Sequence, residues 1–240
     1  MDLKESDILQ EKIFSHWYYK SKSNVILSLI NNRKIKSVLD IGAGSGYFAK
    51  IILERTDAEF AICIDTGYEK DFEETYSGKK IYFKREVAEN LNVDLVLLMD
   101  VIEHVSDDQQ FLESWTKKIN NEDALFIVTV PAFQFLFSTH DIFLEHFRRY
   151  NIFNLRRLMI NCGMKIHLIF YFYGVLFFPI AIIRLFKKIF SVKNQELKSD
   201  MVDVSMPLNN FLVFIHKIEI FFMKINKFFG VSLVCLFQKK

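Results

Sequence analysis

The sequence predicts an α/β fold, a doubly wound and mostly parallel sheet of seven strands with helices on both faces. Short apolar runs alternate with helical patterns over residues 37–173, which is typical of a parallel sheet covered by helices. The first run ends in a glycine-rich turn that leads into a helix. With 240 residues, 51% of them hydrophobic, the chain can bury a large core.

The elements follow in order along the chain. Helical apolar spacing over residues 8–31 predicts an N-terminal helix. Strands are then predicted at residues 37–41, 60–65, 81–85, 94–100 and 124–130. Helices are predicted between them at residues 45–55, 68–76 and 107–119. The last of these helices has a capping-box start from Ser106 to Gln109.

A long insertion separates the last two predicted strands. After Pro131 a loop leads to a helix at residues 151–161, which Gly163 ends, and strands follow at 165–173 and 232–238. The nearly sixty residues between these strands contain two apolar helical segments, 175–190 and 208–229. We therefore expect an N-terminal helical cover (1–35), a core (36–173), a helical insertion (174–230) and a last core strand (231–240).

Composition excludes several classes of protein. The 31 basic and 29 acidic residues nearly balance, which argues against a general polyanion binder, although the part from residue 184 onward is basic. The three cysteines lack C-x-x-C spacing, so neither a zinc site nor a disulfide framework is indicated, and we expect no metal. The polar N-terminus lacks an apolar signal core, which favours a cytoplasmic location.

The turn after the first strand carries the strongest functional signal. Its glycines let the backbone approach a ligand where a Cβ would clash: Gly42, Ala43, Gly44, Ser45, Gly46. A dinucleotide site would have G-x-G-x-x-G spacing instead. Asp40, beside the turn, suits a cationic ligand, and Asp65 after the second strand is placed to accept both ribose hydroxyls.

Polar residues also follow the fourth and fifth strands. The fourth strand runs into D-V-I-E-H-V, residues 100–105. The loop after the fifth strand places two histidines, an aspartate, two arginines and a tyrosine within eleven positions: His140, Asp141, His146, Arg148, Arg149, Tyr150. This density exceeds what a surface loop requires.

Together with H-W-Y-Y-K-S-K at residues 16–22, these motifs resemble class I S-adenosylmethionine-dependent methyltransferases. The H-D-x-x-x-x-H-x-R-R-Y loop is similar to a subgroup found with glycan- and lipid-modifying enzymes. The resemblance implies a Rossmann-like methyltransferase fold and S-adenosylmethionine as cofactor. It implies these further cofactor contacts besides the glycine turn, Asp40 and Asp65: Thr66, Glu86, Val87, Asp100, Val101.

Methyl transfer to an alcohol benefits from a general base, and imidazole can take a proton near neutral pH. The candidate catalytic residues are His140, His146 and His104, although Glu103 and His104 could simply begin a solvated helix. Asp141 is placed to orient a histidine, and the loop's arginines and Tyr150 are candidates to bind an anionic substrate group. Alternatively, the R-R-Y segment anchors the loop against the domain.

The apolar insertion gives information about the class of acceptor. Residues 168–183 carry no charge, and Arg184, Lys187 and Lys188 follow. The run is too short to span a bilayer, so it indicates an interfacial helix on anionic lipid or a buried cap over the pocket. We therefore expect O-methylation of a small-molecule, saccharide or lipid-linked glycan acceptor, with possible peripheral binding to the inner face of the cell membrane.

Other functions remain open at this stage. One is a catalytically silent protein that binds S-adenosylmethionine, and another is an NAD-dependent oxidoreductase, which the glycine spacing disfavours. Nucleic acid is not an expected partner, because Asp100-Val101-Ile102-Glu103 stands where amino-methylating enzymes carry an N-P-P-Y-like motif.

Overall fold

The computed structural model of the protein describes residues 9–87, 89–190 and 204–240, and these contain one eight-stranded sheet. The strands are β1 (Ser37–Ile41), β2 (Phe60–Ile64), β3 (Phe72–Tyr76), β4 (Lys79–Lys84), β5 (Leu95–Met99), β6 (Leu125–Pro131), β7 (Met164–Phe172) and β8 (Ser232–Lys239). Their spatial order is β3-β4-β2-β1-β5-β6-β8-β7. The helices are α1 (Trp17–Ile30), α2 (Tyr47–Arg55), α3 (Asp108–Lys118), α4 (Thr139–Phe143), α5 (Ile152–Asn161), α6 (Gly174–Ile189) and α7 (Met206–Phe222).

The centre of the sheet is parallel and buried on both faces. β1 pairs in parallel with β2 and β5, and every residue of β1 and β5 is buried. Two apolar clusters lie on opposite faces, one containing Val38 and Leu97 and the other Leu39 and Leu98. The doubly wound α/β fold is therefore confirmed, and the carboxyl ends of β1 and β5 lie side by side.

The predicted helix at residues 68–76 is wrong, and it accounts for the eighth strand. β3 pairs antiparallel with β4 through a two-residue turn, Ser77 and Gly78, whose φ angles are 50° and 76°. Two positive φ angles are typical of the tight hairpin turn that matches strand twist. Phe72 stacks on Phe83 of β4 with ring centroids 4.3 Å apart, so pairing with β4 outweighs the local helical pattern.

Several helix starts also differ from the prediction, and α2 begins at Tyr47, two residues after its predicted start. The N-terminal segment is a 3-10 helix (Gln10–Phe14) followed by α1, because His16 is extended and its side chain accepts a hydrogen bond from the Tyr18 N–H. Residue 8, where the helix was predicted to begin, lies outside the described residues. α3 begins after Asp107, whose carboxylate accepts from the Gln110 N–H at 2.9 Å, one residue later than the predicted cap.

The insertion between β7 and β8 contains the two helices that the apolar pattern predicts, α6 and α7, but α7 ends at Phe222 and not at residue 229. No helix in the described ranges is long and apolar enough to cross a membrane. α7 packs against α1, and its buried Asn209 accepts from the Trp17 N–H at 2.7 Å and donates to the Ser15 carbonyl at 3.0 Å. A side chain of the insertion thus caps the first turn of the N-terminal helix.

We expect Asn209→Ala to lower the free energy of unfolding by about 1–3 kcal/mol, because it leaves a buried helix-terminal N–H and a carbonyl without partners. The matched control is Asn210→Ala, which removes an exposed neighbour on the same helix. Urea denaturation of both variants tests this. Equal stabilities would show that the cap does not hold α7 to α1.

Candidate active site

The glycine turn at the carboxyl end of β1 needs glycine for two reasons. Gly42, Gly44 and Gly46 have φ angles of 67°, 54° and 70°, which L-residues with a Cβ rarely adopt. A Cβ on Gly42 would also lie 2.7 Å from Val101, and one on Gly46 would lie 2.9 Å from the Phe83 ring. The turn is therefore packed against Val101, which follows β5, and against Phe83 of β4.

Asp65 lies directly after β2 and faces this turn. Its carboxylate accepts hydrogen bonds from the N–H groups of Gly44 and Gly67, both at 2.9 Å. The Tyr68 hydroxyl donates to the Gly44 carbonyl at 2.7 Å, which further fixes the turn. An ionised carboxylate offers about four lone-pair sites, so Asp65 can still accept from a diol. Thr66, the next residue, is exposed.

Asp40 is a buried carboxyl group under the same turn. It is 1% exposed, and neither oxygen has a hydrogen-bond partner in the described ranges of the chain. Burial raises the pKa of Asp40 to about 7, because the charged form is poorly solvated there. The neighbouring Ser45 hydroxyl is likewise buried and has no such partner among the residues described.

Asp100, at the end of β5, binds the N-terminal helix. Its carboxylate accepts from Lys22 Nζ, from the Tyr18 hydroxyl at 3.0 Å and from the Thr129 hydroxyl at 3.0 Å. Burial acts to raise the pKa of Asp100, but the charge of the Lys22 ammonium and the hydrogen bonds from Lys22 and Tyr18 lower it to about 2. Asp100 has a positive φ of 56°, which turns the chain toward Val101. The sequence pattern did not single out Lys22, although it lies in the aromatic and basic N-terminal cluster.

Three histidines meet beyond Asp100. His104 and His146 are perpendicular, with ring centroids 4.6 Å apart, and His140 lies 6.5 Å from His146. Glu103 is fully buried beside them, and burial and the charge of Asp100 raise its pKa well above the ordinary value. The structure therefore brings together all three histidines that the sequence nominated.

Asp141 is hydrogen-bonded to one of these histidines, His146, and to Arg149. Its carboxylate accepts from the Ser138 N–H at 2.8 Å, lies 3.0 Å from His146 Nδ1 and accepts two hydrogen bonds from Arg149, at 2.6 and 3.0 Å. Burial acts to raise the pKa of Asp141, but His146 and Arg149 hold it well below its ordinary value. Because the ionised carboxylate only accepts, His146 carries its proton on Nδ1 and leaves Nε2 as an acceptor.

Other nominated residues lie away from the histidines. Arg148 binds Asp108 at 2.9 Å and the Ser106 carbonyl at 2.6 Å, and the Tyr150 hydroxyl donates to the same Asp108 at 2.7 Å. These contacts attach the loop to the start of α3. Glu86, just past the end of β4, is exposed, and Val87 is half-buried.

One pocket is lined by the three histidines, by Asp100 and by residues of the N-terminal helix and the insertion. Its walls include Trp17, Tyr18 and Tyr19 from α1, and Leu176, Ile180 and Arg184 from α6. Tyr173, which lies directly before α6, stacks on Tyr18 with ring centroids 5.3 Å apart. The pocket thus lies at the carboxyl edge of the sheet, where open α/β sheets bind ligands.

Comparison with known proteins decides the family. A family model described as a methyltransferase domain matches residues 14–168, more than half of the chain. The chain belongs to this methyltransferase family. It is an S-adenosylmethionine-dependent methyltransferase, and S-adenosylmethionine is its cofactor. No curated protein matches the sequence significantly.

Solved structures share the methyltransferase's fold at low identity. A chain of the complex between the Haloferax volcanii Trm112 methyltransferase activator and a methyltransferase is 12% identical, with a TM-score of 0.57, over 98% of this chain and 93% of that one. A protein assigned as a methyltransferase from Bacillus halodurans is 10% identical (TM-score 0.54; 91% and 99% covered). The small RNA methyltransferase HEN1 is 13% identical (TM-score 0.54; 92% and 25% covered).

The residues around the turn fit the cofactor's chemistry. A glycine turn lets the backbone approach a nucleoside without a Cβ in the way, and Asp65 retains acceptor capacity for the ribose hydroxyls. Asp40 lies under the turn, where a cationic sulfonium or ammonium group would favour its charged form, whereas Asp100 is already paired with Lys22. The methyltransferase's own residues therefore match the group that its family uses.

The raised pKa of Asp40 predicts a pH-dependent stability. In the folded state it is about 7 against an ordinary value of 3.8, so the stabilising contribution is complete below pH 4 and is lost as pH rises through 7. We expect Asp40→Asn to remove this dependence. The stability of the wild type relative to the variant should fall by about 4 kcal/mol between pH 4 and 8.

Urea denaturation of the cofactor-free protein at several pH values measures the effect. Asp57→Asn is the matched control, since Asp57 is exposed. An unchanged pH profile in the Asp40 variant would contradict the assignment of the titration to this carboxyl group.

Proposed function

We propose that this methyltransferase moves the methyl group of its cofactor to an oxygen atom of a saccharide or lipid-linked acceptor. The observation that carries the proposal is the pocket in which His104, His140 and His146 lie next to Asp100, at the cofactor edge of the sheet. The bound cofactor supplies an electrophilic methyl group on its sulfonium. The chain's residues must then position the acceptor, exclude water and remove its proton.

His140 or His146 takes the proton of the acceptor hydroxyl. His146 is the better-oriented of the two, because Asp141 holds its Nδ1 at 3.0 Å and thereby presents Nε2 as the basic nitrogen. Asp141 is therefore a positioning residue. His140 lines the same pocket and lies one residue before Asp141.

Arg184 gives the pocket a preference for anionic acceptors, because Arg149 is already paired with Asp141 and with the Ala132 carbonyl. Arg149 and Arg184 both line it, and Arg184 Nη1 lies 3.8 Å from Asp141. Guanidinium groups bind phosphate and carboxylate through paired hydrogen bonds, so a phosphate-linked or acidic saccharide suits this wall. Arg148 and Tyr150 contribute by anchoring the loop through Asp108.

The helical insertion supports a lipid-linked acceptor and peripheral binding to the inner face of the cell membrane. On one side α6 lines the pocket through Leu176 and Ile180. Other apolar side chains of the insertion are exposed: Val175, Phe178, Ile182, Ile183, Phe186, Ile189, Met206, Leu208, Phe211, Phe214, Ile218, Phe221 and Phe222. So many exposed apolar groups are unusual for a free surface, and Lys187, Lys188 and Lys217 are exposed on the same helices.

We expect the double variant His140→Ala/His146→Ala to lose at least about 100-fold in turnover, the contribution typical of general acid–base catalysis. The assay follows a labelled methyl group from S-adenosylmethionine into lipid and glycan extracts. Cofactor affinity, measured by calorimetry, should stay within about threefold. His167→Ala is the control, because His167 is exposed on β7 and pairs with Gln238.

Unchanged turnover in the double variant would remove both histidines from the mechanism. Cofactor binding without labelling of any extract would favour a catalytically silent binding protein. Label appearing only in an RNA fraction would overturn the saccharide or lipid-linked acceptor.

We expect the double variant Ile182→Glu/Phe186→Glu to abolish co-flotation with anionic vesicles. The variant replaces exposed apolar side chains of α6 with negative charges, which anionic lipid repels. Phe153→Glu on α5, which is also exposed, is the matched control and should float as the wild type does. Added salt should weaken binding as well. If the wild type fails to float, the insertion only caps the pocket.

A further inference from the structure

We propose that Glu103, His104 and His146 bind a divalent transition-metal ion in the wall of the acceptor pocket. One carboxylate oxygen and one nitrogen from each imidazole lie within 4.8 Å of one another. Glu103 and His104 come from the 3-10 turn after β5 (Ile102–His104), and His146 comes from the loop after α4. Two segments far apart in sequence therefore converge on one point.

Glu103 provides the first independent reason for a cation. It is fully buried, and within the described ranges neither of its carboxylate oxygens has a hydrogen-bond partner. Burying an unpaired polar group costs stability, so native proteins rarely leave one without a purpose. A bound cation would give this carboxylate a partner, and His104 and His146 would be the other two ligands.

The second reason is the way that His146 is held. Asp141 lies 3.0 Å from its Nδ1 and is itself fixed by Arg149, so Nε2 is the nitrogen that keeps a lone pair. Histidines that bind metals usually donate their other N–H group to a carboxylate in this manner, which fixes the tautomer and the ring orientation. Asp141 would therefore act as the outer partner of a metal ligand.

The spacing is close to that of a metal site. An ion placed among three atoms no more than 4.8 Å apart lies within about 2.8 Å of each, so movements of less than about 1 Å give the bond lengths near 2.1 Å that zinc forms with nitrogen and oxygen. Two imidazoles and one carboxylate favour zinc, iron or nickel over calcium or magnesium, which prefer oxygen ligands. We assign the site to a zinc-like ion.

Three protein ligands leave a coordination position for the acceptor. An oxygen of the acceptor hydroxyl bound there would lose its proton more readily, since a Lewis acid stabilises the alkoxide. With the ion bound, His146 would be a ligand and no longer a base, so His140, which lines the same pocket, would receive that proton. This role for the ion rests on the proposed function, whereas the binding of the ion does not.

The experiment measures metal binding without cofactor or acceptor. Chelator-treated protein is titrated with Co²⁺, followed by visible absorption, and with Zn²⁺, followed by calorimetry. We expect one ion per chain and a zinc-dependent rise in the melting temperature. Glu103→Gln and His104→Gln should each weaken binding at least about 100-fold, and Asp141→Asn about 10- to 100-fold through His146.

Glu122→Gln and His167→Ala, both on exposed residues, are the matched controls and should bind as the wild type does. Circular dichroism checks that each variant is folded. If either Glu103→Gln or His104→Gln fails to fold, the other still tests the site. A wild type that binds no ion, or ligand variants that bind as tightly as the controls, would overturn the site. Intact metal binding with no methyl transfer to any acceptor would instead overturn the proposed function.

Discussion

The arrangement of the pocket depends on one buried carboxylate, Asp141. Its side chain is fully buried, and an unpaired charge there would cost several kcal/mol. The loop must therefore keep its donors in place, namely the Ser138 N–H, His146 and Arg149. Arg184 of α6 lies 3.8 Å from the same carboxylate. One charge thus fixes three positions in the loop and relates them to the helical insertion.

The N-terminal helix and the insertion act on the pocket together. Asn209 of α7 caps α1, and α1 in turn sends Tyr18 and Lys22 to Asp100 at the end of β5. Tyr173, before α6, donates to the Tyr18 carbonyl at 2.6 Å. The N-terminal helix and the insertion therefore pack against each other, and both reach the carboxyl edge of the sheet although they lie far apart in sequence.

Features that depend on the local spacing of residues could be predicted from the sequence. β1 has its predicted bounds, and the glycine turn has the positive φ angles that its composition implied. The helical pattern of residues 68–76 gave a wrong prediction, because this segment pairs with β4, as Phe72 does with Phe83, and local spacing does not contain that pairing. Nor could the sequence show that Lys22 meets Asp100, since those partners are 78 positions apart. Arg148 and Arg149 look equivalent in sequence, yet they bind different aspartates.

β8 pairs with β6 on one side and β7 on the other, although the insertion lies between β7 and β8 along the chain. A ribosome therefore releases β8 only after α6 and α7 have emerged. Until then β7 has no partner strand, the edge of β6 that β8 covers is open, and two apolar helices are present, a combination that favours aggregation.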